Sequence, residues 1–527
     1  MTKQYDVIII GGGHNGLVNA AYLAKSGLKV LVLEKRHLVG GATVTEEMHP
    51  GYKFSVFSYV VSLLRPEIIR DLNLTEHGLK ILPLETTLTP TQDGQYLYRG
   101  PDGHRTYREI SKFSKRDAEA YSDYGRTMYF MARAVRYMLG IMPPDPTSWK
   151  FRDLNGFLKL SKHMLGLSAD DFYMLSKLMT MSAADFLEEW FESDPLKATL
   201  SASGIIGTNL GPRSPGTAYV LLHHYMGEVD GVARAWGFQK GGTGAIAECI
   251  ASSARSFGVD IEVNTGVSKI IIKNEVASGV VLENGDELTA KTIVSSLDPK
   301  MTFLKLVDDN VLPTDLTDSI RNFNTIGSSG KVNLALDGLP DLSCLPGRGE
   351  HMRGAVSISP NQDYLERAYD EAKYGDFSKH PFMDTIFPSM IDPDMAPPGK
   401  HVMSCFVQYA PYHLKEGTWD EKREAFGDAV VNTLAEYMPN IKDLILYRQT
   451  LSPWDMEKMV GLTQGNIFQG ELSLSQLFFL RPTAGLAQYR TPIQSYYQCG
   501  SGTHPGGGIC GAPGRLSALE ILKDLGR

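Results

Sequence analysis

The chain has 527 residues, more than a single hydrophobic core accommodates, so two or more domains are expected. Apolar residues make up 43% of it, which excludes a mainly disordered chain. A net charge of −8 without a basic block argues against nucleic acid as the main partner.

Residues 7–10 are a short β-branched run, as in a buried parallel strand. Gly11, Gly13 and Gly16 follow at G-x-G-x-x-G spacing. Residues 17–26 suit a helix closed by Gly27, and residues 30–33 form a second strand that ends at Glu34. Glu34 stands about 20 residues after the glycines, which completes the βαβ dinucleotide fingerprint. The glycines permit a tight turn and close backbone approach. The helix N-terminus offers free N–H groups to a pyrophosphate, and Glu34 can accept hydrogen bonds from ribose hydroxyls. Gly40 and Gly41 then let the backbone pass close to a large extended cofactor, or make a simple turn.

Residues 43–64 read as an irregular extended segment, 66–78 as a helix, and 79–108 as short strands and turns. The region from 112 to about 200 is mostly helical in pattern and rich in methionine: Met128, Met131, Met138, Met142, Met164, Met174, Met179 and Met181. Helix core is the plainer reading of these residues. An adaptable lining for a greasy substrate, or a membrane-facing surface, is the sharper one. A Gly/Pro/Ser-rich loop over 204–216 precedes His223 and His224. Adjacent histidines point to different sides of a regular element, and no partner stands at ligand spacing, so no metal site is expected there.

Gly241, Gly242 and Gly244 open a helix that Gly258 ends. A strand over 259–263, a meander over 267–273, 278–282 and 287–289 with Asn284-Gly285 as a hairpin turn, and a further strand over 292–296 follow. No apolar strand runs directly into this glycine cluster, so a second dinucleotide site is not expected. Residues 401–412 alternate like a half-buried strand, and 419–438 fit an amphipathic helix. Near the end, YYQCG reads as a strand meeting a glycine-dense loop. A helix beginning near Gly511 aims its N-terminus at something anionic or electron-rich.

The cysteines are Cys249, Cys344, Cys405, Cys499 and Cys510. None lies near the first βαβ unit and none forms a C-x-x-C pair, which excludes a redox disulfide beside that unit and a zinc site of the usual spacing. Buried thiols are expected at Cys499 and Cys510. No run of about 18 apolar residues occurs, so no transmembrane helix is expected. With no signal or transit peptide in view, a bacterial chain of this kind is expected in the cytoplasm.

The fingerprint with E-x6-G-G, the mid-chain KGGTGAIAE and the C-terminal CGSGTHPGGGICGAPGR together resemble phytoene desaturase-type FAD oxidoreductases, which share the fold of the amine oxidase group. The stretches TEEMHPGYKFSVFSYVVSLLRP, EEWFESDPLKATL, YVLLHHYMG and GNIFQGELSLSQLFFLRP narrow the resemblance to the family of pyridine nucleotide-disulfide oxidoreductase domain-containing protein 2. The resemblance implies an α/β fold. Its Rossmann-like FAD-binding domain is discontinuous (1–65, 232–300 and 462–527). A largely helical cap (66–231) and a mixed α/β substrate domain (301–461) complete it.

The same resemblance implies bound, extended FAD and no metal. Gly11, Gly12, Gly13, Asn15 and Gly16 would hold the pyrophosphate, and Glu34 and Lys35 the adenosine side. Gly40, Gly41 and Ala42 would line the cofactor toward the flavin, and Val267 would sit at the adenine. Gly500 and Ser501 would return to the pyrophosphate and ribityl chain, while Gly507, Gly508 and Ile509 would lie against the isoalloxazine. Lys331, in GSSGKVNLALDGLP, resembles the lysine that holds a water near flavin N5 in amine oxidases. It would act as a base or order that water, against the plain alternative of a strand-end surface lysine. His504 and Tyr497 would border the flavin, with structural roles favoured.

The function implied is hydride transfer from a lipophilic, isoprenoid- or carotenoid-like small molecule to flavin, with oxygen, a quinone or another electron acceptor downstream. An amine oxidase is one alternative. A flavoprotein acting through a protein partner, as a regulator of mitochondrial function, is another, since animal members of the family are associated with the mitochondrial matrix. Peripheral membrane association is a further expectation.

Overall fold

A computed structural model describes residues 4–527. Its first sheet begins with β1 (Tyr5–Ile10) and β2 (Val30–Leu33), parallel and joined by the helix α1 (His14–Lys25). The strand Asp260–Glu262 pairs with β2 in parallel. On the other side β1 pairs with Glu287–Ser295, and that strand pairs with Tyr496–Gln498 near the end of the chain. Strands far apart in sequence thus close one sheet. Apolar residues alternate between its two faces. Val7, Ile9, Val30 and Val32 pack with α1 and the helices Gly244–Ser256 and Ala512–Asp524, while Ile8, Ile10, Leu31 and Leu33 face the antiparallel meander.

Several local readings change. The strand expected in two pieces over 287–289 and 292–296 is continuous. Its first part pairs antiparallel with Val276–Leu282 and its second part parallel with β1, because no turn residue interrupts it. Residues 43–64 contain a hairpin, Thr45–His49 with Tyr52–Ser55. The helix after Arg65 stops at Asp71, where Asn73 takes a positive φ and the chain turns. The glycine-led helix Gly244–Ser256 packs on the first sheet and leads into its strand Asp260–Glu262.

The second sheet is seven-stranded and mainly antiparallel. Ser329–Leu336 and His401–Gln408 are neighbouring inner strands and are buried throughout, so the strand read as half-buried is covered on both faces. Thr87–Pro90 and Tyr96–Arg99, expected within the helical cap, instead add two strands to this sheet. On one face Val332, Leu334 and Leu336 pack with Phe426, Val430 and Leu434 of the helix Trp419–Tyr437. The other face looks toward the hairpin over 45–55 and the loop after it. In the helical region Met128 and Met131 are core residues, and Met164, Met174, Met179 and Met181 pack against that core, which is the plainer of the two roles expected for them. Among the described residues no helix is long and apolar enough to cross a membrane.

The ends of the chain meet through α1 and the last helix. Asn19 Nδ2 donates to the Gly514 carbonyl at 3.0 Å, and a Cβ on Gly514 would stand 2.2 Å from the Asn15 carbonyl oxygen. Gly514→Ala is therefore expected to force the helices apart. Overpacking of this kind costs about 1–3 kcal/mol, to be read as a lower midpoint in thermal unfolding.

Candidate functional site

The N-terminus of α1 is the first wall of the site. Gly13 is its N-cap and supplies no side-chain cap, and no acid stands in its first turn. Its leading N–H groups and positive dipole end are therefore available to an anion. A Cβ on Gly13 would meet nothing within 4 Å, and one on Gly41 would meet only the Gly13 Cα, at 3.5 Å. These two glycines face an open slot. Gly16 is different, since its Cβ would lie 2.3 Å from the Gly11 carbonyl, so it serves the tight turn itself. Gly40, at φ 124°, is likewise crowded by the Thr43 carbonyl.

Glu34 ends β2 and is buried. Its Oε2 accepts the Gly12 N–H at 2.7 Å and its Oε1 accepts the Arg36 N–H at 2.8 Å. The loop that carries Val267 is tied to the same place, because Thr265 N–H donates to the Glu34 carbonyl at 2.8 Å. Lys35 does not turn inward. It is exposed and pairs with Glu283 at 2.7 Å, on the rim next to Gly266. Its neighbour Arg36 does turn inward: Nη2 pairs with Glu46 at 2.9 Å, and Nη1 is buried without a partner among the described residues. Nothing in the sequence spacing separates these two cations.

The C-terminal glycine loop forms the facing wall. Asn15 Nδ2 donates to Ser501 Oγ at 2.9 Å across almost the full length of the chain. Gly500 is pressed against the Ser296 and Leu297 carbonyls, 2.6 Å from where its Cβ would be. Gly507 and Gly508 lie under Phe468 and Leu63, which a Cβ on each would strike. Ile509 has φ 55°, a left-handed conformation costly for a β-branched residue, at about 1–3 kcal/mol. The helix Ala512–Asp524 starts after Gly511, again without a side-chain cap or an acid in its first turn. Two uncapped helix N-termini therefore belong to the two facing walls.

Arg481 holds the second wall, a role that sequence reasoning missed. It is fully buried, and its guanidinium donates to the carbonyls of Ser501, Phe468, Gly470, Glu471 and Gln476 at 2.9–3.3 Å. Burial lowers its pKa to about 10. It lies within the LFFLRP stretch, where a lone arginine after an apolar run is the only available signal.

Lys331 stands on Ser329–Leu336, on the face opposite Val332 and Leu334, as strand alternation requires. It is fully buried and is not a surface lysine. Its Nζ donates to Ser404 Oγ at 2.7 Å and lies 4.9 Å from the centre of the Tyr59 ring. Burial pulls its pKa down to about 7. The loop bearing Tyr59 rests on the cofactor half, since Ser58 Oγ donates to the Ala42 carbonyl at 3.2 Å. Lys331 is thereby brought to the segment that follows Gly40 and Gly41.

Other candidates turn away. Tyr497 OH donates to Asp524 at 2.9 Å. His504 is buried with Nε2 3.1 Å from the Ile141 carbonyl, and burial lowers its pKa to about 3. His223 and His224 diverge, with rings 80° apart. Burial keeps both neutral, and His224 stacks on Trp236. All five cysteines are free thiols, and Cys499 and Cys510 are buried.

The open slot at Gly13 and Gly41, the uncapped helix N-termini, and the buried unpartnered Arg36 Nη1, Asn15 Oδ1 and His14 Nε2 fit a group with a diphosphate and ribose hydroxyls. They fit FAD. Gly13, Asn15, Arg36 and Ser501 would hold it near the diphosphate, and Glu34 would hold it near the ribose.

A family described as flavin containing amine oxidoreductase matches residues 16–514. Pyridine nucleotide-disulfide oxidoreductase domain-containing protein 2 of Rattus norvegicus is 39% identical, over 100% of this chain and 94% of its own length. A limonene dehydrogenase component of Castellaniella defragrans is 26% identical, over 99% and 95%. Putrescine oxidase bound to putrescine has the same fold, with a TM-score of 0.62 over 100% of both chains at 16% identity. The chain belongs to the flavin-containing amine oxidoreductase family, as an FAD-dependent oxidoreductase that groups with pyridine nucleotide-disulfide oxidoreductase domain-containing protein 2.

Proposed function

We propose that the protein oxidises a lipophilic small molecule held between the second sheet and the helical region. The observation that carries this is a cavity of about 520 Å³ lined by Tyr59, Val60, Leu200, Ile206, Tyr225 and Trp236. Tyr59 joins the cavity to Lys331, and His224 joins it to Phe468, whose ring centre is 6.4 Å away and which covers Gly507. Its walls mix these apolar side chains with polar ones such as Thr199, Ser203 and Ser357, which suits a greasy ligand that carries a polar group. The relative named for limonene carries an uncharged terpene in its name, which supports the same class.

FAD, when bound, supplies acceptance of a hydride from the substrate. The chain's own part is to orient, to exclude water and to manage a proton. Tyr59 stacks on Phe406 with centres 5.6 Å apart, giving a flat wall beside the cavity. Lys331 Nζ is uncharged above pH about 7 and can then accept a proton from substrate or from a water it orders. Ser404 Oγ fixes that nitrogen in place. The phenols of Tyr59 and Tyr225 add polar tips to the cavity wall.

A ridge on the helical region supports delivery from a membrane surface. Phe151, Leu154, Leu158 and Leu165 of the helix Phe151–Leu165 fall on one side of it, exposed, beside exposed Trp149, Phe172 and Tyr173. Lys150, Lys159 and Lys162 are exposed around them. Trp, Phe and Leu flanked by lysine is the composition of a surface that settles into an anionic bilayer interface.

With the substrate that bleaches the flavin, chosen from terpenes, carotenoids, quinols and fatty compounds, the reduction rate should rise with pH through about 7 and level off above it, as Lys331 loses its proton. Lys331→Met should keep FAD, lose that inflection and slow reduction by about 10²-fold. A variant that reduces as fast as wild type removes the role. The protein should also float with phosphatidylglycerol vesicles in a density gradient, and replacement of Trp149, Phe151 and Leu158 by serine should abolish flotation. Wild type that stays at the bottom of the gradient contradicts the membrane reading.

A further inference from the structure

The cavity beside Tyr59 holds charge that an uncharged substrate would not use. Arg99 and Arg234 both line it, and among the described residues neither has a carboxylate within ion-pair distance. Arg99 ends the strand Tyr96–Arg99. Its Nη2 donates to Thr199 Oγ1 at 3.0 Å, while its Nε is buried without a partner among the described residues. Arg234 lies over the Tyr225 ring, 4.3 Å from its centre. Its backbone has φ 66° and is held there by a 2.8 Å hydrogen bond from its N–H to the Gly227 carbonyl. Gly125 on the helix Lys115–Leu139 leaves the guanidinium its room, since a Cβ there would stand 3.1 Å from Nη1.

Tyr121 stands within reach of both guanidinium groups. Burial raises its pKa, yet Arg99 and Arg234 together outweigh burial and bring it below the usual phenol value. Two carboxylates also line the cavity. Glu85 is already paired with Arg353 at 2.6 Å. Asp384 is pushed up by burial, and its Oδ2 lies 3.4 Å from Tyr59 OH. Arg99 draws the Asp384 pKa partly back down, but among the described residues neither carboxylate forms an ion pair with an arginine of the cavity, and partly desolvated cations are costly unless an anion meets them.

We propose that Arg99, Arg234 and Tyr121 form a subsite for an anionic head, a carboxylate or a phosphate, on a ligand whose apolar remainder fills the rest of the cavity. The planar guanidinium fork suits either oxyanion. The inference rests on the lipophilic-substrate reading and sharpens it to an amphipathic acid. It also sets aside an amine, because an ammonium would share the cavity with two cations.

The test is calorimetric titration of the FAD-loaded protein with dodecanoate, dodecyl phosphate, dodecanol and dodecylamine. At least one of the two anions should bind about 10-fold tighter than dodecanol, with the amine weakest, and comparison of the two anions separates carboxylate from phosphate. Arg99→Gln and Arg234→Gln should each weaken the anion by about 10-fold and leave dodecanol unchanged, which also shows the cavity intact. The Arg→Lys changes should restore part of the loss. Dodecanol binding as tightly as both anions, or anion affinity unchanged in both glutamine variants, overturns the subsite and leaves the lipophilic reading standing. No binding by any probe, dodecanol included, overturns both.

Discussion

The structure depends on how closely α1 approaches the last helix. Gly514 lets the backbone of one helix lie against the Asn15 carbonyl of the other, and Asn19 and Asn15 reach across to Gly514 and Ser501. A side chain at Gly514 would hold the two apart. Because these helices contribute to the two facing walls, their uncapped N-termini belong to one site. Residues 11–16 and residues 500–511 therefore lie together, as one site for the cofactor requires, although almost the whole chain separates them. The first sheet repeats the same logic, with Tyr496–Gln498 joining strands laid down near residues 5 and 290.

Two buried cations keep the second half of the site in place by different means. Among the described residues Arg481 has no carboxylate partner and its hydrogen bonds all go to backbone carbonyls, so it fastens the loop of Phe468 to the loop of Ser501. Removing it would leave several buried carbonyls unpaired at once. Lys331 is the opposite case. Its hydrogen bond among the described residues goes to Ser404, with a ring beside it, so burial brings its proton within reach of neutral pH. The first cation builds the wall, and the second is the one whose charge can change near neutral pH.

Local pattern is enough where one strand, one helix or one glycine spacing decides the outcome. The βαβ unit, the helix Trp419–Tyr437 and the last helix after Gly511 are legible for that reason. The partner switch of Glu287–Ser295 is not, because its two halves pair with strands from different parts of the chain. Thr87–Pro90 and Tyr96–Arg99 are visible as strands, but the sheet they join depends on contacts with Ala355–Ile358, about 260 residues later. At the site, Gly13, Gly41 and Glu34 follow from spacing. Arg36 rather than Lys35 turning inward depends on Glu46, in a hairpin that local pattern does not reveal. Arg99 and Arg234 come together only when a sheet strand and a loop near the helical region face the same cavity, which no local motif records.

Hydrogen–deuterium exchange of the protein with and without FAD tests the central claim most directly, that widely separated parts of the chain close one cofactor site. FAD should protect residues 11–16, 34–42 and 500–511 together, over one concentration range. Protection confined to residues 11–42, with the C-terminal glycine loop exchanging as before, would contradict it.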